Sequence, residues 1–243
     1  MPIFERSLEE LVEIFRWIEE HEKDGEDPVS VLIGGWAVYV YNPWYGSVDI
    51  DIVTNSRTKQ SLMKYLREKR GYIPKREPML PNTVVKSTPA GLIEIDFATR
   101  EEVYRFEGRD DTHDFHLLDG HTYRTEIHPG CLVVIPTRAL LLFFKLKAAW
   151  DRLFRLESRI SVRPEWDRAK LGKDYADILA LLDPALGFED LDLVVLGDLV
   201  SRYPFLYEVI RSVPRQTEGI RMYGRMTNDE VKEIIDRLLQ LIT

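Results

Sequence analysis

The stretch Val48 to Val53, Val-Asp-Ile-Asp-Ile-Val, limits what this chain can fold into more than any other. Side chains on an extended strand alternate between faces, so Val48, Ile50 and Ile52 share one face while Asp49 and Asp51 share the other. The apolar face belongs on a core, and the carboxylate face must meet water, hydrogen-bond donors or cations. Residues 91–99, Gly-Leu-Ile-Glu-Ile-Asp-Phe-Ala-Thr, repeat the pattern, with Ile93, Ile95 and Phe97 on one face and Glu94 and Asp96 on the other. Either strand alone reads as one with a wet face. Paired side by side, the two would add Asp96 to Asp49 and Asp51.

Carboxylates at i and i+2 are roughly 7 Å apart at the backbone and can converge on one site. Without a cation they repel, which raises the pKa of at least one; hard oxygen ligands suit Mg²⁺ or Mn²⁺. Three carboxylates on neighbouring strands can hold two such ions about 4 Å apart, the spacing used for in-line phosphoryl displacement. Gly34-Gly35 follows an apolar run, Ser-Val-Leu-Ile at 30–33, and precedes a short helical stretch at 36–41 stopped by Asn42-Pro43. A glycine pair there is commonly only a turn. It also lets the backbone approach phosphate oxygens at a helix amino end. Ser47, just before the first aspartate, adds a hydroxyl.

Along the rest of the chain, Ser7 with Glu10 reads as a capping box opening a helix to about residue 22, ended by the polar stretch at 21–28. A helix is expected over 57–70 behind Asn55 or Ser56, then a loop at 74–82, paired strands at 83–87 and 92–98, a hairpin turn at Asp119-Gly120 and a strand at 131–135. From Pro136 the pattern is helical, with helices expected at 137–159, 166–183, 188–201, 204–212 and 229–242, the last behind a second capping box, Thr227 with Glu230. The expected architecture is α+β: a mixed sheet with flanking helices over residues 1–135, then a helical domain over 136–243.

In order and spacing, Gly34-Gly35, Asp49-Ile50-Asp51 and the later Asp96 resemble the nucleotidyltransferase superfamily of the DNA polymerase β type. The resemblance implies a mixed-sheet catalytic core that binds a nucleoside triphosphate, such as ATP, with two Mg²⁺ or Mn²⁺ ions. Gly34 and Gly35 would hold the triphosphate, Ser47 would assist, and Asp49, Asp51 and Asp96 would be the metal ligands and catalytic acids, Asp96 also acting on the attacking hydroxyl. Lys-Leu-Lys-Ala-Ala-Trp-Asp-Arg at 145–152 and Lys-Asp-Tyr-Ala-Asp at 173–177 resemble elements of AbiEii-type nucleotidyltransferases, a group that contains toxins of type IV toxin-antitoxin systems. By that likeness Lys145, Lys147, Arg152 and Asp174 would contact the nucleotide, with Asp174 and Asp177 orienting the cations. Seven residues apart, Lys145 and Arg152 project to nearly the same side of a helix, whereas Lys147 lies well round from Arg152. The likeness implies a hydroxyl acceptor and an antitoxin partner, and the basic stretch at 138–173 points to an anionic acceptor such as an RNA end. Gly-Gly-Trp-Ala-Val also resembles nucleotidyltransferases that modify aminoglycosides or lincosamides. A non-catalytic module that binds nucleotide or a partner is the remaining alternative.

Charge and composition bear on the partners. The net charge of −8 argues against a surface that coats nucleic acid, yet Arg138 to Lys173 holds ten Lys or Arg against four acids, a local +6. The longest apolar run, at 139–144, is too short for a bilayer, the amino terminus lacks a secretory pattern, and the single cysteine, Cys131, excludes an internal disulfide; a cytoplasmic protein is expected. Trp36, Tyr39, Tyr41, Trp44 and Tyr45 read as core or rim packing. His113, His116, His121 and His128, without a cysteine pair, read as polar loop residues rather than a zinc site.

Overall fold

The computed structural model describes residues 2–22, 30–75 and 82–242. Most of the two polar stretches expected at 21–28 and 74–82 falls outside the described residues. The polypeptide divides into two units, Met1–Glu102 with Asp114–Pro136, and Val103–His113 with Thr137–Thr243.

In chain order the first unit contributes α1 (Ile3–His21), β1 (Val31–Ile33), α2 (Gly34–Tyr41), β2 (Ile50–Thr54), α3 (Ser56–Lys69), β3 (Ile73–Pro74), β4 (Thr83–Thr88) and β5 (Gly91–Thr99). Two short strands, β6 (Tyr104–Arg105) and β7 (Thr112–His113), belong to the second unit. The hairpin β8 (Thr122–His128) and β9 (Cys131–Pro136) belongs to the first again. The remainder is helical: α4 (Arg138–Glu157), α5 (Pro164–Leu182), α6 (Leu193–Arg202), α7 (Leu206–Ser212), α8 (Thr217–Tyr223) and α9 (Asn228–Ile242). The protein is of mixed α+β class. Among the described residues no helix is long and apolar enough to cross a membrane.

The sheet of the first unit has the order β1-β2-β5-β4-β3, with β2 and β5 parallel and every other pair antiparallel. Its strands bury the alternating apolar set read from the sequence, Ile50, Ile52, Ile93, Ile95 and Phe97, while Asp49, Asp51, Glu94 and Asp96 stay partly accessible. Each fully buried Ile or Phe contributes about 1.5–3 kcal/mol, so a one-residue slip that turned this set outward would be strongly disfavoured. Asn55 caps α3, accepting from the Thr58 amide at 2.7 Å.

Three local expectations are corrected. Helix α1 begins at Ile3, four residues before Ser7, so Ser7 and Glu10 lie inside it and form no capping box. Ser7 donates to the Val48 carbonyl and accepts from the Trp36 indole. Glu10, fully buried, pairs with Arg6, Arg70 and Lys86. Tertiary partners on other elements claimed both side chains. The hairpin turns at Pro129-Gly130, between β8 and β9; Asp119-Gly120 instead follows a short 3₁₀ turn at Phe115–Leu118. The helix expected over 188–201 starts later: α6 begins at Leu193, preceded by a 3₁₀ turn at Phe188–Asp190.

In the second unit α4 packs on α5, α6 and α7, α8 lies on α5, and α9 on α6. Residues 103–113, placed by the sequence reading within 1–135, belong here because their apolar side chains find their contacts here. Phe106 and His113 are buried among Phe143, Tyr203 and Phe205, and Tyr203 donates to the Thr112 carbonyl. The capping box at Thr227 and Glu230 forms as read, with the Thr227 amide donating to Glu230 at 2.7 Å and the Glu230 amide to the Thr227 hydroxyl at 3.3 Å. Helix α8, over 217–223, has no counterpart among the expected elements.

Candidate functional site

Strand register builds the first-unit site. In the parallel pair β2 and β5, Asp51 is the direct partner of Asp96; in the antiparallel pair β4 and β5, Thr83 is the partner of Asp96; in β1 and β2, Ile33 is the partner of Asp51. Ile33, Asp51, Asp96 and Thr83 therefore form one row across four strands, about 4.7–4.9 Å between neighbours. Register partners share a face, so the two aspartates stand side by side. Asp49, two residues before Asp51 and just ahead of β2, is near enough to act on Asp96 electrostatically.

The glycine pair is positioned by the same register. With Ile33 opposite Asp51, the next residue, Gly34, begins α2 beside the aspartates. Its φ of +69° lies in the left-handed region that favours glycine. A Cβ at this position would overlap the Asp51 carboxylate, so only a bare Cα fits. The carboxylate thus lies against the first residue of a helix, the end at which the macrodipole favours negative charge. Gly35 and Ser47 are buried rather than on the surface. Trp36 is also buried, as core packing.

The Asp96 carboxyl titrates above the usual aspartate range. Burial is the main cause, and Asp49 and Glu94 push the same way. The hydroxyl of Thr83, which donates to Asp96 Oδ1, and the charge of Lys75 oppose it. Glu94, on the same face, is bound by Lys75 Nζ at 2.9 and 2.7 Å. The sequence reading did not single out Thr83 or Lys75, whose roles depend on which strand lies next to β5.

Among the described residues no three His, Cys, Asp or Glu side chains form a ready-made metal-binding group. Register and electrostatic contact make the three aspartates neighbours, with Asp51 against Gly34 and one oxygen of Asp96 held by Thr83. The donor set is nonetheless of the kind a hard divalent cation takes, anionic oxygens from adjacent strands.

The other expected residues form a network within the second unit. Lys145 Nζ lies 2.7 Å from Asp177 and 3.6 Å from Asp174, Arg152 pairs with Asp174, and Lys173 lies 2.9 Å from Asp177. Lys145 and Arg152 do share a side of α4, as helix phase requires. Lys147 points elsewhere, to Asp151 and the Arg105 carbonyl. Arg155 pairs with Asp167 and Glu107, and Arg168 with Glu165. Much of the +6 stretch is therefore matched by acids of its own unit. The histidines do not assemble: His113 is buried among rings of the second unit, and His116 pairs with Asp119 on the surface of the first.

No protein-family model matches the chain, and comparison with curated proteins returns no match.

Proposed function

We propose that the first unit is the catalytic core of a Mg²⁺-dependent nucleotidyltransferase, moving a nucleoside monophosphate from an NTP to a hydroxyl acceptor in the cytoplasm. The observation that carries this reading is the cross-strand row that makes Asp51 the partner of Asp96, with Gly34 against the Asp51 carboxylate and Asp49 beside them. That arrangement joins an anion-accepting helix start to a group of carboxylates, the two halves of a site for a metal-bound triphosphate.

Asp49, Asp51 and Asp96 would hold Mg²⁺ or Mn²⁺, which when bound supplies Lewis-acid stabilisation of the charge that develops on the phosphates. Gly34 and Gly35 bring main chain close to the triphosphate without side-chain obstruction. Asp96, with its raised pKa, accepts the proton of the acceptor hydroxyl as that oxygen bonds to the α-phosphorus and the bond to pyrophosphate breaks. The polymerase β-type fold and the kinship to AbiEii-type toxins, with an antitoxin partner, belong to the same proposal.

For the acceptor, the internal pairing of Lys145, Lys147, Arg152, Arg155 and Arg168 weakens the argument from charge for an RNA end. It favours, as a second reading, a small hydroxylated acceptor of the aminoglycoside or lincosamide kind.

The test incubates the full chain with α-labelled NTPs and Mg²⁺, offering pooled RNA, small hydroxylated antibiotics and the protein itself as acceptors. Wild type is expected to transfer label, and Asp49→Ala and Asp51→Ala to lose it. Transfer that survives both substitutions overturns the proposal, and metal-dependent NTP binding without transfer to any acceptor identifies a non-catalytic nucleotide-binding module.

A further inference from the structure

We propose that Thr83 is a positioning residue of this site, its hydroxyl setting the Asp96 carboxylate in the orientation from which it meets a divalent cation. The inference rests on the nucleotidyltransferase reading and adds to it a residue outside the acidic set.

Geometry is the first support. Thr83 is the direct cross-strand partner of Asp96, on the side of β5 opposite Asp51, and its hydroxyl donates to Asp96 Oδ1. The residue is buried, and β-branching restricts its χ1. Its backbone is fixed on both flanks: the Lys75 amide donates to the Thr83 carbonyl at 2.9 Å, and the Phe97 amide to the Asn82 carbonyl at 3.2 Å. The donor is therefore held in place before any ligand arrives, as an outer-sphere partner of a metal-binding carboxylate must be.

The chemistry of the donor is the second support. Two other acids of this unit are answered by cations: Glu10 by Arg6, Arg70 and Lys86, and Glu94 by Lys75. The group bonded to Asp96 is a neutral hydroxyl. It orients the carboxylate without neutralising it, leaving the negative charge for a bound cation. A threonine present only for strand propensity could turn its methyl to this position and its hydroxyl elsewhere.

The experiment measures Mn²⁺ binding to the full chain by electron paramagnetic resonance without nucleotide, alongside the Mg²⁺ dependence of transfer. Thr83→Val is expected to weaken Mn²⁺ binding about tenfold and to raise the Mg²⁺ concentration for half-maximal transfer. Thr83→Ser, which keeps the hydroxyl, is expected to restore both. Should Thr83→Val fail to fold, Thr83→Ala removes the same donor without the added methyl. Wild-type Mn²⁺ affinity in the variants lacking the hydroxyl, or a Thr83→Ser protein as weak as they are, overturns the role of Thr83 alone. Absence of Mn²⁺ binding by wild type, or undiminished binding by Asp51→Asn, overturns the nucleotidyltransferase reading and this inference with it.

Discussion

Asp177 in the second unit and Asp96 in the first are both inward-facing carboxylates, and their surroundings act on them in opposite directions. Burial alone would raise the pKa of Asp177, but the ammonium groups of Lys145 and Lys173, at 2.7 and 2.9 Å, outweigh it and hold the carboxyl below the usual range. Burial likewise raises the pKa of Asp96, and there Asp49 adds to the rise while the neutral Thr83 hydroxyl only partly offsets it. Glu10 shows that the first unit does neutralise a buried acid where the fold needs one, with three cations around a side chain that has no solvent exposure. The contrast separates acids that brace the fold from acids gathered beside one another, where a cation from solution would be stabilising.

The contrast is broken most directly by removing the braced acid. Asp177→Ala takes away the counter-charge shared by Lys145 and Lys173 and is expected to cost about 3–5 kcal/mol, read as a lower urea midpoint at pH 7. Because the folded-state pKa of Asp177 is depressed, its contribution is present above the unfolded value of about 3.9 and is lost as pH falls through the folded one. The gap between wild type and variant should therefore close below about pH 4. A gap that widened in acid would refute the ion-pair account.

A smaller loss is expected where backbone meets carboxylate. Gly34→Ala forces a left-handed non-glycine residue, at about 1–2 kcal/mol, and sets a methyl into the Asp51 carboxylate. Both the unfolding midpoint and nucleotidyl transfer should drop. An unchanged midpoint would mean that Gly34 and Asp51 do not meet.

The smallest effect sharpens the comparison, since its sign is reversed. Asp96→Asn keeps an acceptor for Thr83 and removes the repulsion from Asp49, so stability at pH 7 should rise by about 0.5–1 kcal/mol while transfer falls. A carboxyl with a raised folded-state pKa imposes no penalty below the unfolded value of about 3.9, and the penalty grows as pH rises through the folded value. The gain in the variant should thus vanish in acid and grow as pH rises through the folded value. An Asp96→Asn protein less stable than wild type at pH 7 would erase the distinction between the two acids.

Much of the first unit was legible from periodicity. Alternation in 48–53 and 91–99 marked β2 and β5 and named the faces that the structure buries, because an i, i+2 pattern needs no knowledge of the partner strand. The two capping boxes show where such reading stops. Thr227 and Glu230 cap α9 as local rules predict, since both are exposed and nothing competes for them. Ser7 and Glu10 carry the same signature, but Val48, Trp36, Arg70, Lys86 and Tyr72 claim their side chains from elsewhere in the chain. In the same way Thr83 carried no local signal, and the helix phase of Lys145 and Arg152 could be worked out whereas the acids that engage them needed α5 beside α4.

The amino-acid order by itself determined which side chains of β2 and β5 face a core, and where β2, β5 and α9 lie, because each depends on neighbours a few residues away. Only the tertiary structure decided that Asp51 stands beside Asp96, that Thr83 holds Asp96 from the far side, that Gly34 meets Asp51, and that the basic stretch is matched by its own acids. Those pairings join residues from 13 to 45 positions apart in the first unit, and their register is set by burying Ile50, Ile52, Ile95 and Phe97 together, a collective property that no short segment carries.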